Sequence, residues 1–213
     1  MSRDTREICS GYMAFLEKLK DKILDLHESL DMEKRTITRK NDEPYLTRYY
    51  LFRKPVNWMP SLYLHCFHAS DEDPELHNHP WDNSFSIILS GSYKEEYRDK
   101  LGMVRSRVVK PGMFNFVSAD KFHRIDLETD NVYTLFFSGR KTQGWGFWNR
   151  HTSEYVDWKE HERIKALKAA AKRGADKATS SFEKLKGLRN LSASDIINGE
   201  DNDEPKSMGP TVS

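Results

Sequence analysis

Only two of the 213 residues are cysteine. Cys9 and Cys66 make neither a disulfide framework nor a zinc-spaced pair, so the core has to hold the fold. Long apolar runs are missing too; nothing approaches the ~18 consecutive apolar residues that a membrane span needs. The opening stretch MSRDTREICSGYM lacks an apolar signal-peptide core, so a cytoplasmic protein is expected. Net charge is scarce, with 34 basic residues against 33 acidic ones, which argues against a dedicated nucleic-acid binder. Apolar residues make up 37% of the chain and mean hydropathy is −0.78, low for a chain that is globular from end to end. The expectation is a compact core carrying polar, solvated extensions.

The charge that is present is segregated. Residues 159–189 hold ten Lys/Arg against four Asp/Glu, and residues 190–213 hold one Lys against five Asp/Glu. Four pieces follow: an N-terminal helical segment (1–44), a β-rich body (45–158), a basic helix (159–189) and an acidic tail (190–213) read as disordered. Within the first piece, Tyr12, Leu16, Leu19, Ile23, Leu26 and Leu30 recur at helical spacing over about 10–31. That stripe suits either a helix lying on the body or a short dimer contact. The basic helix is expected to break at Gly174. It reads as a solvated surface, a phosphate or nucleic-acid contact, or a dock for the acidic tail; its single aromatic, Phe182, gives no support for base stacking.

The body changes period. Runs such as SLYLHCFH (61–68), SFSIILSG (84–91), MFNFV (113–117) and VYTLFFSG (132–139) are rich in aromatic and β-branched residues. Turn residues separate them at short intervals, among them Gly91, Gly102 and Pro111-Gly112, and no helical crossover interrupts them. This predicts an antiparallel sandwich or barrel. On strand 84–91 one face carries Ser84, Ser86, Ile88 and Ser90 and the other Phe85, Ile87 and Leu89; a polar pocket floor and a solvent-facing serine row are both compatible with that. Strand 61–68 poses the same choice for His65, either beside a site or simply buried and satisfied.

Three of the eight histidines organise the function. His77-Asn78-His79 is an H-x-H pair, and in an extended chain alternate residues share a face. His123, in KFHRI, is available as a third donor from a facing strand. Three neutral imidazoles suit Fe(II), Mn(II), Ni(II), Cu(II) or Zn(II). Three protein ligands leave coordination positions open, which marks a catalytic rather than a structural site.

These residues resemble the cupins. His77, His79 and Gly91 fit the first motif, G-x5-H-x-H-x3,4-E-x6-G, with Asp71 at the first Gly and Ser84 or Asn83 at the Glu. Gly112 and His123 fit the second, G-x5-P-x-G-x2-H-x3-N, with Ser118, Asp120 and Leu127 at the other positions. The resemblance spans about 45–150 and implies a mostly β, cupin-type jelly-roll barrel with the N-terminal helix, the basic helix and the disordered tail attached. Lacking the Glu, the chain looks like the three-histidine branch, which includes the cysteine dioxygenases and implies Fe(II), O2 and a small substrate. The Ser-His-Tyr trio of those dioxygenases falls on Tyr133, Leu135 and Phe137, so thiol oxidation itself is not expected. HNHPWD with the closing WGFW also resembles small cupin-like proteins of phage and bacteria.

The resulting expectation is a mononuclear metal site of His77, His79 and His123. Asp82 is a possible fourth ligand, and Ser84, Ser86, His65, Tyr133 and Arg140 are pocket candidates. The favoured reading is a non-haem Fe(II) oxygenase of a small polar molecule, with Mn, Ni or Zn as other occupants. A metal-free or non-redox cupin (isomerase, epimerase or ligand binder) and an accessory protein docking a partner through its helices are the alternatives. The partner expected is a small-molecule substrate, with a second copy in a homodimer as a further option and no membrane.

Overall fold

The computed structural model describes residues 3–53, 59–150 and 152–189. The chain divides into two compact units, residues 1–161 and residue 162 onward. The first unit opens with helix α1, Arg3–Ser29. Twelve strands follow: β1 Lys34–Thr38, β2 Pro44–Phe52, β3 Ser61–Phe67, β4 Leu76–His77, β5 Asn83–Ser90, β6 Tyr93–Arg98, β7 Val104–Val109, β8 Phe114–Ser118, β9 His123–Leu127, β10 Val132–Ser138, β11 Gly146–Asn149 and β12 Glu154–Asp157. Helix α2, Trp158–Arg189, ends the described chain.

The strands form two six-stranded antiparallel sheets, β1-β2-β3-β10-β5-β8 and β12-β11-β4-β9-β6-β7. The connectivity is that of nested hairpins. β6 pairs with β7, β5 with β8, β4 with β9 and β3 with β10, and successive pairs alternate between the two sheets. That is a jelly roll, as expected from the spacing of the short strands. Strand β1 falls inside the segment read as N-terminal and helical; its Thr-Ile-Thr run and its register against Leu46–Tyr49 of β2 make it a sheet edge instead.

Two of the turns need glycine. Gly91 and Gly112, which match the two cupin motifs, have φ of 75° and 82°, a region open to glycine without steric cost. A Cβ on Gly91 would lie 2.5 Å from the Asn131 carbonyl oxygen, and one on Gly112 would lie 2.5 Å from the Tyr12 ring.

Between the sheets, Ile88, Tyr93, Val109, Ile125 and Val132 close one end of the interior. The outer face of the first sheet has its own core, where Leu16 of α1 packs on Leu64 and Leu89 with Leu19, Ile23, Ile87 and Leu135 around them. This settles the two strand faces: the helix covers the Leu89 side, so Ser84, Ser86 and Ile88 face inward, all buried. Of the predicted helical stripe, Leu16, Leu19 and Ile23 meet the sheet, while Tyr12, Leu26 and Leu30 remain substantially exposed.

In the second unit α2 runs through Gly174 without a break, contrary to the sequence expectation. One glycine in a helix interior costs about 1 kcal/mol, and the surrounding Ala and Lys residues are strong helix formers. Leu167 and Phe182 on this helix are exposed. The acidic tail, residues 190–213, lies outside the described residues, as does His151. Among the described residues no helix is long and apolar enough to cross a membrane.

Leu16→Ala tests the helix–sheet core. Only 4% of Leu16 is exposed, so the truncation is expected to cost about 2–4 kcal/mol in urea unfolding followed by circular dichroism, with metal content unchanged.

Candidate metal centre

Two strand ends bring the three histidines together. His77 ends β4 and sits directly across from His123, the first residue of β9. His79 lies two residues on, beyond the strand proper but still in extended chain. The residue between them fixes this segment: the Asn78 side-chain oxygen accepts from the Gly146 amide at 2.8 Å, and its amide donates to the Ala119 carbonyl at 3.2 Å. Gln143 adds bonds to the His79 and Ala119 carbonyls, at 3.1 and 2.8 Å. With Asn78 anchored on one side of the chain, both imidazoles turn to the other.

The three rings stand in a near-equilateral triangle with centroid separations of 5.1, 5.3 and 5.1 Å. One ligating nitrogen from each lies within 4.8 Å of the others. His79 Nε2 and His123 Nε2 are 2.8 Å apart. Nitrogens bound at right angles to one transition metal, at ~2.0–2.1 Å each, would sit about 3 Å apart. Burial lowers the pKa of both His77 and His79, and for His79 the neighbouring His123, His77 and His65 lower it further. Neutral imidazoles are what a metal requires, so the donor set fits a divalent transition ion.

Each strand-borne histidine has a carboxylate behind it. The stronger is Glu95, on β6, which is fully buried. It faces His123 Nδ1 at 2.8 Å and also accepts from Arg107 Nε at 2.7 Å, Lys121 Nζ at 2.6 Å and Asn115 Nδ2 at 2.9 Å. Burial by itself would raise the Glu95 pKa; the bond from His123 and the Lys121 charge overcome this and hold it well below the usual carboxylate range. An ionised Glu95 draws the proton of His123 to Nδ1, leaving the Nε2 lone pair for a metal. Behind His77 is Asp71, with Oδ2 3.9 Å from His77 Nδ1. That oxygen accepts from the Ile125 amide at 2.7 Å, and the other accepts from the Tyr45 hydroxyl. Asp71 is the residue that stands where the first cupin motif has glycine.

The other residues singled out in the sequence divide clearly. Ser84 and Ser86 are on the inner wall; Ser86 is bonded to the Tyr93 hydroxyl, whereas Ser84 Oγ and Ser138 Oγ have no partner among the described residues. Ser84 and Ser138 are register partners on β5 and β10. Their row lies one inward step beyond Ser86 and Asn115, and Asn115 reaches Glu95 on the other sheet. One step beyond Glu95, Tyr97 pairs with His123. The two orphan hydroxyls therefore stand on the inner wall, one row from Ser86 and Asn115.

His65 is buried and satisfied: it stacks on Phe136 with centroids 4.8 Å apart and accepts from Arg48 Nε at 3.1 Å. Asp82 does not join the histidines. One of its oxygens accepts from the Asn83 and Arg140 amides at 2.8 and 2.9 Å, and the other faces Arg140 Nε at 3.4 Å. It is a turn residue, and Arg140 is its exposed partner rather than part of a pocket. Tyr133 is on the wrong face. It packs under α1 with Leu135, and Lys20 Nζ lies 5.0 Å over its ring.

Sequence reasoning missed Glu95 and Trp81. Trp81 stacks on His79 at 5.8 Å and meets Phe136 edge-on at 5.7 Å. The alternation in Tyr93-Lys94-Glu95-Glu96-Tyr97 could have flagged one inward glutamate, because both tyrosines share a face with Glu95.

No protein-family model matches the chain, and no curated protein matches it. Solved structures do. Fe(II)-HppE with the alternative substrate (S)-1-HPP is 17% identical with a TM-score of 0.41, over 50% of this chain and 55% of that one. Hydroxypropylphosphonic acid epoxidase from S. wedmorenis is 16% identical with a TM-score of 0.39, over 50% and 55%. Oxalate oxidase in complex with the substrate analogue glycolate is 17% identical with a TM-score of 0.34, over 41% and 45%. The match thus spans about half the length of these proteins, and no residue role passes from them to this chain.

Glu95→Gln separates support of the metal from support of the fold. The neutral amide has one acceptor oxygen instead of two and holds the His123 tautomer less firmly, and metal affinity is expected to fall about 10–100-fold in competition titration with a chelating dye. Glu95→Ala additionally leaves Arg107 and Lys121 without their carboxylate, at an expected cost of about 3–5 kcal/mol in chemical denaturation.

Proposed function

We propose that the chain is a mononuclear metal enzyme in which His77, His79 and His123 hold one divalent ion, and that it acts on a small polar molecule inside the jelly roll. The reading rests above all on the Glu95–His123 contact. A buried carboxylate bonded to the far nitrogen of an imidazole, whose near nitrogen points at two more imidazoles, is the arrangement by which proteins orient a metal ligand. A buried histidine with a merely structural role has no need of the other two rings.

Fe(II) with O2 as co-substrate is the specific chemistry we favour. A bound divalent ion supplies Lewis acidity and, as iron, one-electron chemistry with O2. The chain's own groups do the rest. The apolar plug of Ile88, Val109, Ile125 and Val132 closes the inner end against water. Ser84 and Ser138 present hydroxyls able to donate to and accept from a polar substrate group. Trp81 and Phe136 provide an aromatic wall beside His79. No carboxylate is among the three donors, so a divalent ion would keep its charge uncompensated in that shell, and an anionic substrate group would be favoured there.

The test is elemental analysis of tag-free protein prepared without oxygen. One metal per chain is expected, lost in both His77→Ala and His123→Ala. Ser84→Ala with Ser138→Ala is expected to keep the metal and to weaken substrate turnover about 10-fold or more, the scale of one or two lost hydrogen bonds. Iron together with substrate-dependent O2 uptake supports the oxygenase reading. Zinc or manganese without O2 uptake replaces it with isomerase, epimerase or other non-redox chemistry at the same site. A protein that takes up no metal even after reconstitution overturns the proposal.

A further inference from the structure

Four strands form the edges of the two sheets: β1 and β8, β12 and β7. Sheet edges are commonly protected by charge, and three of these follow that pattern. β1 carries Lys34 and Arg35, β7 carries Arg105 and Arg107, and β12 carries Glu154 and Asp157. β8, Phe-Asn-Phe-Val-Ser, carries no charge at all. Its inward residues Asn115 and Val117 are buried, while Phe114 and Phe116 are 63% and 58% exposed.

The exposed rings extend into a larger surface. Phe116 is opposite Phe85 of β5, which stacks on Phe137 with centroids 4.3 Å apart. α1 covers only part of this face of the sheet. Leu16 and Ile23 point down, and Lys20 lies on one flank, over Tyr133 at the start of β10. Helical spacing puts Ile8 and Phe15 on the other flank, toward the Phe85 end of the strands. They are 72% and 59% exposed, and Tyr12, seated on Gly112 beside β8, is 47% exposed. At ~200 Å² per aromatic side chain, Ile8, Tyr12, Phe15, Phe85, Phe114 and Phe116 leave roughly 650 Å² in water. Monomers rarely expose a contiguous apolar patch above ~300–600 Å².

We infer that this face is the contact between two copies of the chain. Two such patches would remove on the order of 1,300 Å² from water, within the ~1,200–2,000 Å² of stable interfaces. A two-fold axis sets the same surface against itself, and the six side chains bring no charge that would be buried unpaired. The Phe116 carbonyl already accepts from Lys121 Nζ at 3.2 Å, so the contact uses the aromatic face rather than an extension of the β8 hydrogen-bond ladder. It is separate from the three histidines, which the other sheet carries on β4, just past β4 and on β9.

The experiment is sedimentation equilibrium of the full chain from low to high micromolar concentration. Wild type should give twice the 25.0 kDa chain mass. Phe114→Glu with Phe116→Glu should raise the dissociation constant at least ~100-fold while metal content and far-ultraviolet circular dichroism are retained. If that variant is misfolded, Ile8→Glu with Phe15→Glu makes the same test from the helix side. Leu26→Glu with Leu30→Glu, exposed at the far end of α1, should leave the dimer intact. A monomer at every concentration overturns the inference, and so does a dimer insensitive to the first two variants or dissociated by the third.

Discussion

The Glu95 carboxylate is the constraint around which the interior is arranged. A charge with no exposure to water is tolerable only if donors surround it, and here they come from four places: Arg107 on β7, Asn115 on β8, Lys121 in the loop before β9 and His123 on β9. Asn115 belongs to one sheet and Glu95 to the other, so the network also pins the two layers to each other. Lys121 Nζ donates to Asn115 Oδ1 at 2.8 Å as well as to Glu95, which leaves little freedom for any member to move alone. The His123 ring is thus held by a carboxylate that is itself buried and fully bonded. Such a network rigidifies when complete and is costly when one partner is lost.

The first sheet performs two unrelated tasks with its two faces, and the side-chain period of two keeps them separate. Inward residues Ser84, Ser86, Ser138 and Thr134 are small and polar, beside the larger Ile88 and Phe136. Outward residues Phe85, Ile87, Leu89 and Leu135 are large and apolar and carry α1. A slip of one residue in β5 would exchange the two sets, placing phenylalanine against the histidines and serine under the helix. Register in β5 is held from both sides, by β10 and by β8, and by the glycine turn at Gly91.

Much of this was legible in the chain. The H-x-H pair, the third histidine after Pro111-Gly112 and the short strands all point to a jelly roll that gathers three imidazoles, because histidine spacing and turn chemistry are local properties. Side-chain partners across the sandwich are not local. Glu95 and Glu96 look alike in sequence, yet one is buried among four donors and the other sits in a cluster with Arg150 and Lys94. Asp82 is close enough in sequence to suggest a ligand, but two backbone amides claim its carboxylate first. Tyr133 has the right chemistry on the wrong face, a distinction that depends on which side of β10 the helix covers. Gly174 shows the converse: a strong local break signal loses to the helix propensity of its neighbours.

The position of the negative charge decides what kind of molecule the centre suits. A carboxylate in direct contact with a metal would cancel part of its charge. This chain places serine at that motif position and moves its carboxylate one contact outward, behind His123. There Arg107 and Lys121 more than balance Glu95, so little of its charge is left to offset a metal on the other side of the imidazole. Asp71, loosely set behind His77 at 3.9 Å, offers partial compensation on that side only. The surroundings of the three rings would therefore be electropositive whenever a divalent ion is present. A ligand that brings its own negative charge would offset such an ion; a neutral apolar one would not.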